Sequence, residues 1–234
     1  MPGTLLGTVP SGFEAYARIL HPVSVGWQQQ ARWAEVAQVT GRQIHAAVQW
    51  HALIGAASPF AHGSELWDAG EPETGNLSVD GLTELCAVLG RFTSTPDECF
   101  YAVWEGWGQL HGGRARVWMS GDGHGVPAEP LLTREELNVD RVRLPHRRYL
   151  LMSGPLRAVG DVARYDGPDT WVSQSPSLLW PADHNWCVAT EIDFDSTLVG
   201  GPAPTIDEIL TAPGLEAMRI DRSLSLRADS DHLN

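Results

Sequence analysis

Glu191, Asp193 and Asp195 occupy every second position near the end of the stretch "WPADHNWCVATEIDFDST", residues 180–197. On an extended strand, alternate side chains share a face. These three carboxylates then line up with Ala189 on one surface, about 7 Å apart at a rise of ~3.3 Å per residue. Val188, Thr190, Ile192 and Phe194 face the other way. Oxygen-ligated divalent ions select clustered carboxylates. One reading is therefore a metal-dependent hydrolase. Asp193 and Asp195 are its ligands, His184 joins them if the chain bends at Pro181, and Glu191 or His184 is the base. A second reading is a sheet strand with one dry face and one wet face. The repulsion between its carboxylates is then answered by arginines, for which "RVRL" (141–144) and "RRYLL" (147–151) supply candidates. A third is an acidic surface for a basic protein partner. Cys187 in the same stretch reads as a structural thiol, because His184, three residues earlier, falls on the opposite face.

The other reactive residue types form no recognisable constellation. The sixteen basic residues are all Arg, which excludes Schiff-base chemistry, a pyridoxal-phosphate anchor and a P-loop, each of which needs a Lys. Three Cys without a C-x-x-C pair argue against a disulfide framework or a cysteine zinc site. The nine His include no H-x-x-x-H, H-E-x-x-H or H-x-H. Gly121, Gly123 and Gly125 lack the G-x-G-x-x-G spacing and read as a turn, and no G-x-S-x-G elbow occurs. No cofactor is expected. Ten Trp stand out. Trp serves cores and binding surfaces alike. The pairs Trp104/Trp107, with Glu105 between them, and Trp180/Trp186 are candidates to line a binding groove.

The elements that must position these residues change character along the chain. "GFEAYARILHP" (12–22) carries apolar residues at 13, 16, 17 and 20, a helical stripe stopped by Pro22. "QQARWAEVAQVTGR" (29–42) predicts a helix ended by Gly41, and residues 43–55 are ambiguous. Residues 55–79 read as a loop or junction. Residues 79–92 predict a helix with Asp80 as N-cap. From Cys99 onward, strands are expected at "CFYAVWEGW", "ARVWMS", "RVRL", "RRYLLMSG", "TWVSQS" and "NWCVATEIDF". A late helix follows at "PTIDEILTAPG", then a short strand at "LEAMRI" and a mobile tail over 221–234. Helices first and strands afterwards give an α+β fold, a single domain built on an antiparallel sheet with its helices mainly N-terminal.

At 43% hydrophobic and 19% charged residues, the composition is that of a globular chain. A net charge of −13 disfavours nucleic acid as a partner and favours a basic protein. No apolar run approaches the roughly 20 residues of a membrane span, and no basic n-region opens the chain. A cytoplasmic location is expected.

The blocks "GFEAYARILHP", "TPDECFYAVWEGWG", "LPHRRYLLMSGPL" and "SPSLLWPADHNWCVATEIDFDSTLVGG" together resemble a family of uncharacterised actinobacterial proteins, over residues 11–220. The resemblance implies a cytoplasmic protein and transfers no catalytic residue. The order of "LPHRRYLLMSG", "WPADHNWCVATEIDFDST" and "TIDEIL" is also similar to SUKH proteins, α+β modules many of which are immunity proteins that bind toxins. The usual Asn-Gly after the first block is Ser153-Gly154 here. The expected function is a non-enzymatic acidic binding module that contacts its partner through Glu191, Asp193, Asp195, Trp180, Trp186, Trp104 and Trp107. The metal-dependent hydrolase and a structural subunit of an oligomer stand as alternatives.

Overall fold

The computed structural model describes residues 9–26, 29–111, 132–145, 147–162, 164–166 and 171–234. The strand read at 115–120, the glycine turn at 121–127, Trp27, Trp118, His124 and His146 lie outside the described residues. In chain order the strands and helices are β1 (Ala15–Leu20), β2 (Val23–Val25), β3 (Gln29–Ala31), α1 (Trp33–Thr40), α2 (Trp50–Leu53), β4 (Gly70–Pro72), α3 (Val79–Leu89), β5 (Cys99–Trp104), β6 (Arg141–Leu144), β7 (Arg147–Gly154), β8 (Arg164–Asp166), β9 (Trp171–Ser173), β10 (Leu178–Pro181), β11 (Cys187–Ala189), β12 (Ser196–Gly201), α4 (Ala203–Thr211) and β13 (Glu216–Ile220).

Eight strands form one antiparallel sheet in the order β13-β1-β12-β11-β10-β5-β7-β6. The α+β class with an antiparallel sheet is therefore as expected. The stretch 12–22 is not. It forms β1, flanked by β12 and β13, and all six of its residues are buried. A strand buried on both faces carries apolar residues without strict alternation, so its pattern imitates a helical stripe. The first part of the chain is consequently mixed: α1 and α2 sit beside the small sheet β3-β2-β4.

Helices α3 and α4 cover one face of the large sheet. Leu82, Leu85 and Leu89 of α3 and Ile206 and Ile209 of α4 pack on Ala17, Ile19, Tyr101, Leu179, Val188 and Val199. Ser78, not Asp80, caps α3, its hydroxyl accepting from the Gly81 N–H at 3.2 Å. On the opposite face Tyr16, Cys187, Ala189, Leu198 and Ile220 are covered by Val9, Phe194 and Leu226. Trp33, Val36, Trp50, Leu53 and Ile54 make a third core under α1 and α2. The tail is held rather than free. Leu226 is buried, and the Asp231 carboxylate accepts from the Gln49 N–H at 3.1 Å and meets His45 Nε2 at 2.9 Å. No described helix is long and apolar enough to cross a membrane.

The register fixes one end of the sheet as the meeting place of the candidate residues. Ala189 pairs with Leu178, Leu178 with Ala102, and Trp104 with Tyr149. The end of β11, the start of β10, the end of β5 and the start of β7 therefore lie side by side.

Candidate functional site

Strand β11 stops at Ala189, so the acidic stretch does not run on as a strand. The chain turns over Glu191–Phe194, with the Phe194 N–H donating to the Glu191 carbonyl at 3.0 Å. Asp disfavours strands, and Asp193 and Asp195 lie in and just after this turn. Gly75 seats the turn. Its N–H donates to the Phe194 carbonyl at 2.8 Å, its φ is +72°, and a Cβ there would lie 2.7 Å from the Ile192 backbone.

The expected ridge of three carboxylates is thereby broken up. Glu191 and Asp193 converge on Arg147 of β7, at 3.2 and 2.7 Å. Asp195 points elsewhere, to Arg18 of β1 at 3.2 Å. A guanidinium, not a metal ion, answers the repulsion between the first two carboxylates. Two further features count against the hydrolase reading. His184 lies in the β10–β11 turn, at the other end of β11 from the carboxylates. Among the described residues, no three His, Cys, Asp or Glu side chains converge as a metal site.

Asp195 belongs to a polar network inside the fold. Arg18 is 1% exposed and donates from Nε to Ser196 Oγ at 2.9 Å, and from Nη1 to the Ala46 and Val48 carbonyls at 3.2 and 2.6 Å. Burial pushes the Asp195 carboxyl up, and the Arg18 charge opposes that push. Next to it, fully buried His21 donates from Nδ1 to the Glu73 carbonyl at 2.6 Å, since a carbonyl can only accept. Nε2 therefore accepts from Thr197 Oγ1 at 2.9 Å, and Thr190 Oγ1 lies 2.8 Å beyond. Burial, with Arg18 adding to it, holds the imidazole down at about 4. No sequence motif marks this chain of groups. Its members come from β1 and the residue after it, the 46–48 segment, Glu73, Thr190 just past β11, Asp195 and the start of β12.

The Trp pairs separate. Trp104 and Trp107 meet edge to face, centroids 5.6 Å apart. Trp104 folds over Gly106, where a Cβ would lie 2.2 Å from the indole. Trp180 and Trp186 do not pair. Trp186 is fully buried in the helix-covered core, its indole N–H donating to the Leu89 carbonyl at 3.1 Å. Trp180 lies on the other face, stacked on Phe100 at 5.6 Å. Trp186 therefore cannot serve as a contact residue.

What the sheet end does assemble is an arginine–tryptophan cleft. Trp104, Glu105, Gly106, Arg143, Leu144, Arg147 and Arg148 line a space of about 470 Å³. The Arg147 guanidinium lies over the Trp104 ring, 5.6 Å from its centroid, while also holding Glu191 and Asp193. Glu105 is bridged between Arg148 and Arg141, the latter at 3.1 Å. The sequence signal for this cleft was "RVRLPHRR", four Arg in eight residues with no carboxylate among them. Arg147 answers the acidic turn as the pattern predicts, and the arginines also form a surface of their own.

Burial pushes Cys86 and Cys187 up to about 12 and Cys99 up to about 11. A groove of about 540 Å³ between α3 and the 3-10 turn at Leu156–Asp161 has Cys86 in its apolar wall. Asp183 accepts from Thr93 Oγ1 and from the Ser94 N–H and Oγ. It thereby pins the β10–β11 turn, where His184 adopts φ 56°.

Comparison with protein-family models, with curated proteins and with solved structures found no match.

Proposed function

We propose that this protein is a binding module whose contact surface is the sheet end built around Trp104 and Arg147. The observation that supports this reading is the contact series of Trp107 edge to face with Trp104 and Arg147 over the Trp104 ring, with Arg147 held by Glu191 and Asp193. Trp and Arg are the residue types enriched where binding energy concentrates. A guanidinium held on an indole loses little freedom on binding. Glu191 and Asp193 hold Arg147 in place here and are not themselves the partner's contacts. Asp195 and Trp186 serve the fold. Net charge alone suggested a basic partner, but the contact is lined by three Arg and one carboxylate. The likeness to SUKH proteins agrees with a binding role.

The test uses the full chain and its Trp104→Ala variant as paired baits, in low and high salt, with oligomeric state measured by light scattering. The expected result is a stoichiometric protein partner retained by the wild type and lost from the variant. Equal recovery by both baits, or a Trp104-dependent self-association with no other partner, would overturn the proposal.

A further inference from the structure

The cleft at the β6–β7 hairpin has a charge pattern that the fold itself leaves unresolved. Arg143 and Arg148 stand directly opposite each other in the register. Like charges directly opposite on neighbouring strands repel. Arg148 has Glu105 as its partner, and Glu105 also serves Arg141. Among the described residues, Arg143 has no carboxylate within ion-pair distance. The chain as a whole carries −13, and Glu105, Glu191 and Asp193 answer the other three Arg of this hairpin, which leaves Arg143 as its unanswered charge among the described residues.

Strand β6 is also the last strand of the eight, paired with β7 on one side only among the described residues. Exposed Arg on an edge strand commonly serves to discourage edge-to-edge aggregation. That alone would explain Arg143. It does not explain why the same edge opens onto an apolar floor, with Leu144 37% exposed and the Trp104 indole beside it. A purely protective edge has no use for an aromatic cleft.

Resting on the reading above, we infer that the β6 edge and the Arg143–Arg148 cleft bind an acidic, extended segment of a protein partner. A strand laid antiparallel or parallel beside β6 gains main-chain hydrogen bonds along Arg141–Leu144. Arg141 and Arg143, two residues apart, project to the same face, and Arg148 shares it through its pairing with Arg143. Carboxylates at alternate positions of the added strand fall on that face and neutralise the arginine pair. The intervening side chains fall on the face of Leu144. The recognised chemistry is thus an alternating acidic strand, which a single free carboxylate or a block of acids in a row does not reproduce.

The experiment is fluorescence anisotropy of a labelled peptide of about eight residues, a usual strand length, with Glu and Thr in alternation. Its controls are an isomer with the Glu in one block and a Lys–Thr alternating peptide. The protein is the full chain, as wild type and as Arg143→Gln. Because the Arg143 side chain is exposed, the variant is expected to fold, which circular dichroism checks. The expected result is salt-sensitive binding of the alternating Glu peptide and about tenfold weaker binding to the variant, as for loss of one charge-assisted contact. Slowed amide exchange over residues 141–144 in the complex is expected as well. Absence of binding at low salt overturns the inference, as does equal binding by Arg143→Gln or by the Lys–Thr peptide. Equal binding of the block isomer overturns the strand geometry. If the Trp104→Ala bait loses its partner while the Glu peptide fails to bind, this inference falls and the binding-module reading stands.

Discussion

His21 provides a quantitative test of the buried network beneath the acidic turn. The imidazole is fully buried and neutral, donating to the Glu73 carbonyl and accepting from Thr197. Its pKa is held at about 4, against an ordinary value near 6.5, first by burial and then by Arg18. As pH falls, the unfolded chain takes up a proton near 6.5 while the folded protein resists until about 4. Stability from this group is therefore complete above pH 6.5 and drains away as pH drops toward 4. At 1.36 kcal/mol per pH unit, the loss attributable to His21 is about 2 kcal/mol by pH 5 and about 3 kcal/mol by pH 4. Glu73, Glu216 and Asp195 have carboxyls raised by burial. Wild type and variant share these groups, so a difference isolates His21. Urea unfolding of wild type and His21→Asn from neutral pH to pH 5 measures it. The asparagine keeps a donor for Glu73 and does not titrate. The variant is less stable at neutral pH, and the gap narrows by about 2 kcal/mol at pH 5. A constant gap across that range, or a His21 ring that titrates near 6.5 by NMR, would refute the reasoning.

Gly75→Ala forces a Cβ against the Ile192 backbone at a positive φ, and should cost about 2–3 kcal/mol in urea unfolding while loosening the Glu191–Phe194 turn. His184→Gly relieves the left-handed backbone of an exposed turn residue at φ 56°, and should leave the melting temperature unchanged or raise it by a few degrees, about 1 kcal/mol. Because Arg147 already holds Glu191 and Asp193, chelation with EDTA should not shift the thermal melt. Arg147→Gln, which leaves both carboxylates without that partner, should lower stability by about 1 kcal/mol. A melt that drops on chelation would restore the metal reading.

Local pattern was enough for the elements whose faces differ. Helix α3 was legible because Leu82, Leu85 and Leu89 repeat at helical spacing, and β5 because aromatic and β-branched residues cluster there. It failed for β1, where both faces are covered and a helical stripe and a buried strand share one pattern. It also failed for residues 190–195. Alternation there promised a common face for three carboxylates, but β11 ended at Ala189 and the backbone turned on Gly75, over a hundred residues earlier in the chain.

Composition and local spacing by themselves determined the α+β class, the lack of Lys-dependent chemistry and the absence of a short-range metal or nucleotide motif, because each depends on residue identity or near neighbours. Only the tertiary structure decided which charges meet. Arg147 reaches Glu191 and Asp193 from a strand three places away in the sheet, and Asp195 finds Arg18 at a sequence separation of 177. Electrostatic pairing depends on distance in space and on burial, and neither is written in the order of residues along the chain. The same rule set the two Trp pairs apart: Trp104 and Trp107 turn toward each other over Gly106, while the sheet itself stands between Trp180 and Trp186.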